Sequence, residues 1–310
     1  MILLHMPGIG LTHSEMESLK SKKILNQLLD TIENELSCNN YSWRTIKSYR
    51  SHLFQFISYL IETSELNLNE QIIEQYLKSK QRQKKWSVST QQQALNAILY
   101  YSNTILQKPL NVSNIRPKTT FKLPELLNNK ELELVLNEMH NLKHRCMILL
   151  TYSSGLRLSE LINLKLSDIK FNLNRILIRS FTKGPHYSIL SPKILELLKQ
   201  YIYEYDVSDW LFEGRNGNAC SGRSVESMFK KFLTKLKIQK RITIQTLRHC
   251  FAVHLLESGL GIQELQSLMG HQSKKTTTMY LHLARKSNLT ILSPLDQIQL
   301  KKFVNSSEIE

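Results

Sequence analysis

Cysteine is scarce: Cys38, Cys146, Cys220 and Cys250 are the only four in 310 residues, and none stands at metal-ligand spacing from another. That pattern excludes a cysteine metal site. Three of the four lie in or beside apolar helical patterns, so buried reduced thiols are expected. No apolar run is long enough to form a membrane helix, and no concentrated basic amphipathic tail offers a surface anchor. The opening MILLHMPGIG lacks the basic start of a secretory signal, which points to a cytoplasmic location, at the nucleoid. GRNG at 214–217 lacks the Lys-Ser/Thr end of a nucleotide phosphate loop. Acidic residues are also short, 26 against 41 lysines and arginines.

What is present is an ordinary globular composition, 41% hydrophobic and 22% charged, with room for two domains. The formal charge of +15 is shared: residues 1–119 carry 14 basic against 9 acidic side chains, and 120–310 carry 27 against 17. Both halves therefore suit a polyanion, and the lack of membrane features favours nucleic acid.

Apolar residues at helical spacing predict four helices in the first third, over 22–36, 43–61, 69–77 and 89–106. Together they make a small helical bundle. Arg44, Thr45, Lys47, Ser48, Arg50 and Ser51 cluster on the outward side of the second helix, and Lys78, Lys80, Arg82, Lys84 and Lys85 crowd a predicted loop before the fourth. Each could be solvated surface charge; as a set they suit phosphate contacts. Periodicity then fails across 111–124, where prolines and basic residues indicate an extended linker, and the domain boundary is placed near residue 120.

Two helices are expected over 129–140 and 142–152, the second nearly all apolar and therefore central. Ser153-Ser154-Gly155 ends that run, and Arg157 emerges at the start of the next helix with Glu160 one turn inside it. Such an arginine is either part of an anion site or a surface cation paired to Glu160. Period-two alternation over 169–171, 175–179 and 186–190 predicts three short antiparallel strands, with Lys183 in the second turn, where a lysine usually faces solvent. Ser191-Pro192 opens a helix, and 224–236 forms another amphipathic one.

The stretch 245–280, QTLRHCFAVHLLESGLGIQELQSLMGHQSKKTTTMY, packs the most chemistry into the least chain. Leu247, Phe251 and Leu255 give a buried helical face, with Thr246 placed to cap the helix and Gly259 to end it, so Arg248 is expected in the first turn beside the positive dipole end. A second helix is stopped by Gly270 just before His271, and Ser273 opens a third that bears Tyr280, nine positions past His271.

The phrases GLRLSEL, LRHCFAVHLLESG, LMGH and TTTMY at these spacings resemble the tyrosine recombinase, or phage integrase, family, in its simple Xer-like form. The resemblance is strong over 145–285 and one of architecture over 20–110. It implies a mainly α fold with a small antiparallel β-sheet: an N-terminal extension (1–19), a helical core-binding, SAM-like DNA-binding domain (20–110), a linker (111–124), an α+β catalytic domain (125–285) and a tail (286–310) that packs on a neighbouring subunit. By position, Arg157 and Arg248 would hold the scissile phosphate, Tyr280 would attack it to give a 3′-phosphotyrosyl link, Lys183 would protonate the leaving 5′ oxygen, His271 would donate to the phosphate, and Glu160 would orient its neighbours. No metal or other cofactor is implied. The implied partners are duplex DNA with short inverted half-sites, contacted by Arg44, Thr45, Lys47, Arg50, Lys84 and Lys85 among others, and further copies in a tetramer, alone or with a related recombinase.

One position departs from the pattern. The family usually has histidine three residues before the second arginine, and this chain has Gln245. Glutamine donates a hydrogen bond but accepts no proton at neutral pH, so if that histidine is the base, its loss would cost on the order of 10²–10⁴ in rate. His249, next to Arg248 in sequence but rotated about 100° from it by one helical step, is an alternative source of that base, and its plainer reading is a buried helix histidine. Two functions remain from this pattern: a strand-cutting and rejoining recombinase, or a DNA-binding relative that supports an active partner. A relaxing topoisomerase fits less well, since it needs no tail for assembly.

Overall fold

Apolar residues at helical spacing open the described chain: α1 (Lys22–Cys38) buries Leu25, Leu29, Ile32 and Leu36. The computed structural model describes residues 22–65, 67–118, 123–179, 184–284, 293, 295, 298 and 299. It divides into two units, residues 1–121 and 122–310. In the first, Ser42 caps α2 (Trp43–Thr63), Asn69 caps α3 (Glu70–Lys84) and Ser87 caps α4 (Val88–Tyr100), each side chain accepting from a backbone N–H three residues on. The α2 helix lies between two apolar clusters. Leu53 and Ile57 pack with α1, while Phe56 and Leu60 pack with Ile73 and Tyr76 of α3 and Leu95 and Ile98 of α4.

The basic residues 78–84 continue α3 instead of forming a loop, because Lys, Gln and Arg are good helix formers and nothing breaks the helix before Lys85 turns left-handed. The α4 helix runs on through a π-helical turn, Tyr101–Ile105. The first part of the expected linker is docked: Val112 is buried with Leu110 and Ile115 in the α3–α4 cluster, and Gln92 donates to the Pro117 carbonyl at 2.8 Å. Cys38 is exposed and Cys220 half-buried, so only Cys146 and Cys250 are the buried thiols expected of all.

The second unit is built on two buried helices. Asn128 caps α5 (Asn129–Asn137), which leads to α6 (Leu142–Ser154), a run buried over nearly its whole length. Then α7 (Leu158–Ile162) precedes a three-stranded antiparallel sheet in sequential order, β1 (Ile169–Lys170), β2 (Arg175–Ile178) and β3 (His186–Ile189), with Ile176 opposite Ser188 and Ile178 opposite His186. Ser191 caps α8 (Pro192–Glu204), and Ser221 caps α9 (Gly222–Lys235). Finally α10 (Ile244–Glu257) packs along α6, and α11 (Ile262–Leu268) and α12 (Lys274–Thr278) lead into a 3₁₀ turn, Met279–His282.

Gly155 fixes the α6–α10 crossing. It ends α6 at φ +64°, and a Cβ there would stand 2.4 Å from the Phe251 ring, so the position needs glycine both for its backbone and for the ring. Of the tail, Leu295 and Ile298 lie in this unit's own core, where packing on a neighbouring subunit had been expected. The rest of that expectation lies outside the described residues. Among the described residues no helix is long and apolar enough to cross a membrane.

Candidate active site

Thr243, not Thr246, caps α10, and the Thr246 hydroxyl accepts from the Thr243 N–H at 3.2 Å from inside the first turn. Arg248 is therefore the fifth helical residue and sits in the second turn. It points inward instead of lying at the dipole end, and it is 1% exposed. Its guanidinium is held on all sides. Nη1 donates to the Gly155 carbonyl and to Glu160 Oε2 at 3.2 Å; Nη2 donates to the Met269 carbonyl at 2.7 Å and to His271 Nε2 at 3.0 Å. Burial and the nearby Arg157 charge lower its pKa to about 10, with Glu160 acting against them, so it stays a cation at neutral pH.

Glu160 joins the two arginines. It accepts from the Arg157 backbone N–H at 2.7 Å, from the Arg157 guanidinium and from Arg248. Arg157, at the N-cap of α7, keeps 27% of its side chain exposed, so it can meet a ligand from solvent. Arg157 is paired to Glu160 and, through that carboxylate, stands in a two-arginine cluster with Arg248.

His271 follows Gly270, whose φ of +56° turns the chain out of α11. Because Arg248 can only donate, His271 Nε2 accepts, which places the ring proton on Nδ1 toward Thr277 Oγ1 at 2.9 Å. The His186 ring lies against Gly270, and an open cleft of about 360 Å³ runs between His186, Gln266, Gly270 and His271.

Tyr280 is 1% exposed, stacked 6.2 Å from the His271 ring with 10° between planes. Its hydroxyl is 2.9 Å from His249 Nδ1. Burial pushes the phenol above its ordinary pKa while Arg248 and Arg157 pull it back, so it is protonated at neutral pH. Burial and Arg248 lower His249 to about 4, so that imidazole is neutral. At 1% exposure the Tyr280 side chain is shielded from bulk water.

The structure thus brings Arg157, Glu160, Arg248, His271 and Tyr280 together. Gln245 is half-buried one turn before His249, and Lys183 lies outside the described residues. His249, set aside from the sequence, is the nitrogen that touches Tyr280. Thr277 and His186 were missed; nothing in their spacing separates them from neighbouring threonines or strand residues.

The basic residues of the first unit divide differently. Arg44 is exposed beside the Trp43 ring at 5.6 Å, and Lys47, Lys84 and Lys85 are exposed. Lys84 also donates to Gln55 at 3.2 Å. Arg50 is held by Asp30 at 2.6 Å and Glu33 at 2.9 Å, and Thr45 is engaged at the Ser42 cap. Those two therefore have partners within the bundle.

No group of three metal-ligating side chains is assembled among the described residues. The chemistry on offer is two fixed guanidiniums, a phenol, and two imidazoles, arranged to bind an oxyanion beside a nucleophile.

The pattern of the Phage integrase family matches residues 125–287, and that of the phage integrase N-terminal SAM-like domain matches 26–112. A tyrosine recombinase of Pseudothermotoga lettingae is 34% identical over 266 residues, covering 82% of this chain and 92% of its own. The tyrosine recombinase XerD of Halalkalibacterium halodurans is 30% identical over 264 residues, 78% of this chain and 87% of its own. Among solved structures, the XerH site-specific recombinase bound to its palindromic difH substrate in a post-cleavage complex has a TM-score of 0.71 at 22% identity, over 83% of this chain and 81% of that one. At that identity the likeness speaks for the fold.

Proposed function

This chain belongs to the phage integrase family of tyrosine recombinases, and from that premise we propose that it cuts and rejoins duplex DNA at specific sites through a 3′-phosphotyrosyl intermediate. The observation that carries the reading is the convergence of Arg157, Arg248, His271 and Tyr280 around one point. A phosphodiester placed against the two guanidiniums has its developing charge stabilised by fixed donors. Tyr280 Oη attacks phosphorus, the bond to the 5′ oxygen breaks, and Lys183 is the residue the family resemblance offers as proton donor to that oxygen. The ester energy stays in the phosphotyrosine, and attack by a 5′-hydroxyl of the partner strand reverses the steps.

Duplex DNA with short inverted half-sites is the proposed substrate, gripped in part by Arg44, Lys47, Lys84 and Lys85. Self-association into a tetramer on that DNA belongs to the same proposal, as does a location at the nucleoid. Gln245 favours a second reading, a DNA-binding relative that does not cut.

A nicked suicide duplex carrying inverted repeats from DNA flanking the gene decides between them, with products run on a denaturing protein gel. A covalent adduct formed by the wild type and lost in Tyr280→Phe is the expected result. Adduct formed only after Gln245→His assigns the chain to the non-cutting class. Binding without adduct in both removes the strand-transfer reading.

A further inference from the structure

We propose that His249 is the catalytic base that takes the Tyr280 proton, acting from one helical turn beyond the position where Gln245 stands. The inference rests on the strand-transfer reading above and names a residue within it.

The helix geometry carries the first step. Compared with Arg248, His249 is rotated by about 100°, but compared with position 245 it is four residues on, about 40° around and about 6 Å along the axis. Positions 245 and 249 therefore share one face of α10, and a side chain from either can reach the same point. His249 does so: its Nδ1 is 2.9 Å from Tyr280 Oη. Elimination carries the second step. Both His271 nitrogens are occupied, by Arg248 and Thr277, and the Glu160 carboxylate is held by the two arginines. Among the described residues, no other side chain hydrogen-bonds the phenol.

The step balances. As Oη bonds to phosphorus, its proton passes to His249 Nδ1, whose Nε2 already carries one, and the 5′ oxygen leaves with a proton from the general acid. On rejoining, the 5′-hydroxyl attacks, and the imidazolium returns its proton to the departing Tyr280 oxygen. Burial and Arg248 keep this imidazole neutral in the free protein. A phosphate anion seated on Arg157 and Arg248 offsets that cationic field and makes the ring more basic when the proton has to move.

The same hydrogen bond would also serve to park the tyrosine, and the two roles have opposite kinetic signs. Single-turnover adduct formation on the nicked suicide duplex separates them. For a base, His249→Ala slows cleavage by on the order of 10²–10⁴, with DNA affinity unchanged, and adding Gln245→His to it restores at least about tenfold, because an imidazole again shares that face. His249→Gln, which keeps a polar side chain on the helix, stays as slow as His249→Ala, and both become first order in hydroxide where the wild type levels off. Cleavage by His249→Ala within about threefold of wild type, or faster than it, overturns the proposal and assigns parking. Absence of any Tyr280-dependent adduct from the wild type, with binding intact, instead refutes the strand-transfer reading itself.

Discussion

Glu160 sits between two guanidiniums, and Glu160→Ala removes their shared counter-charge. The buried member, Arg248, is 1% exposed and its partner carboxylate 7%, so the pair cannot be replaced by water at little cost. Breaking a buried pair by deleting one partner costs about 3–5 kcal/mol. Arg157 is 27% exposed and recovers solvation, so its share is at most about 1 kcal/mol. The sum stays near 3–5 kcal/mol, which for a unit of this size lowers Tm by about 6–20 °C. The consequence specific to an anion site is what happens on adding sulfate: the two arginines, now uncompensated, bind it more tightly than in the wild type, where the carboxylate competes. Thermal unfolding with and without sulfate reads both effects. The expected result is a large destabilisation without sulfate and a steeper rise of Tm with sulfate in the variant. A variant as stable as wild type, or two parallel sulfate curves, would refute the idea that Glu160 holds the anion site in the absence of DNA.

Arg50→Ala should cost under about 1 kcal/mol, since its partners Asp30 and Glu33 are half-exposed, and leave the salt dependence of DNA binding unchanged; Lys47→Ala should lower that slope by about 0.9, as expected for one lost phosphate contact, in anisotropy titrations at several salt concentrations. His249 has a folded pKa of about 4 against about 6.5 unfolded, so the unfolded chain binds the extra proton first. Its contribution is whole above pH 6.5 and is lost as pH falls toward 4, up to about 3 kcal/mol. His254 and His144, also lowered by burial, act in the same direction. Urea unfolding between pH 7 and 4 should show a shallower decline for His249→Phe than for wild type.

Much of the fold was legible because periodicity and caps are local. The strands at 169–170, 175–178 and 186–189 alternate cleanly, and Ser191 caps the helix it was expected to open. Errors came where two local signals compete. The basic run 78–85 has both the charge of a solvated loop and the propensity of a helix, and propensity won because Tyr76 and Leu77 already anchor the preceding turn. At the start of α10, Thr243 and Thr246 are equally good caps by type. The helix begins at the first, which moves Arg248 from the dipole end into the core.

The site was legible as a set of residues but not as a hydrogen-bond network, and Arg248 shows why. Five donors on one buried guanidinium demand acceptors, and four are met by atoms far apart in sequence: the carbonyls of Gly155 and Met269, Glu160 and His271. Backbone carbonyls carry no sequence signature, so no spacing could have indicated them. That network also constrains what the site has to do. While Nη2 donates to His271 Nε2, the imidazole proton sits on Nδ1, facing Thr277, and the ring has nothing to donate to a phosphate. For His271 to donate, Arg248 must first turn a donor from it to the phosphate, after which the Thr277 hydroxyl, which can donate as well as accept, allows the proton to stand on Nε2. On the proposed function, phosphate binding by the arginine and donation by the histidine are one coupled event, because both require the Nη2–Nε2 hydrogen bond to open.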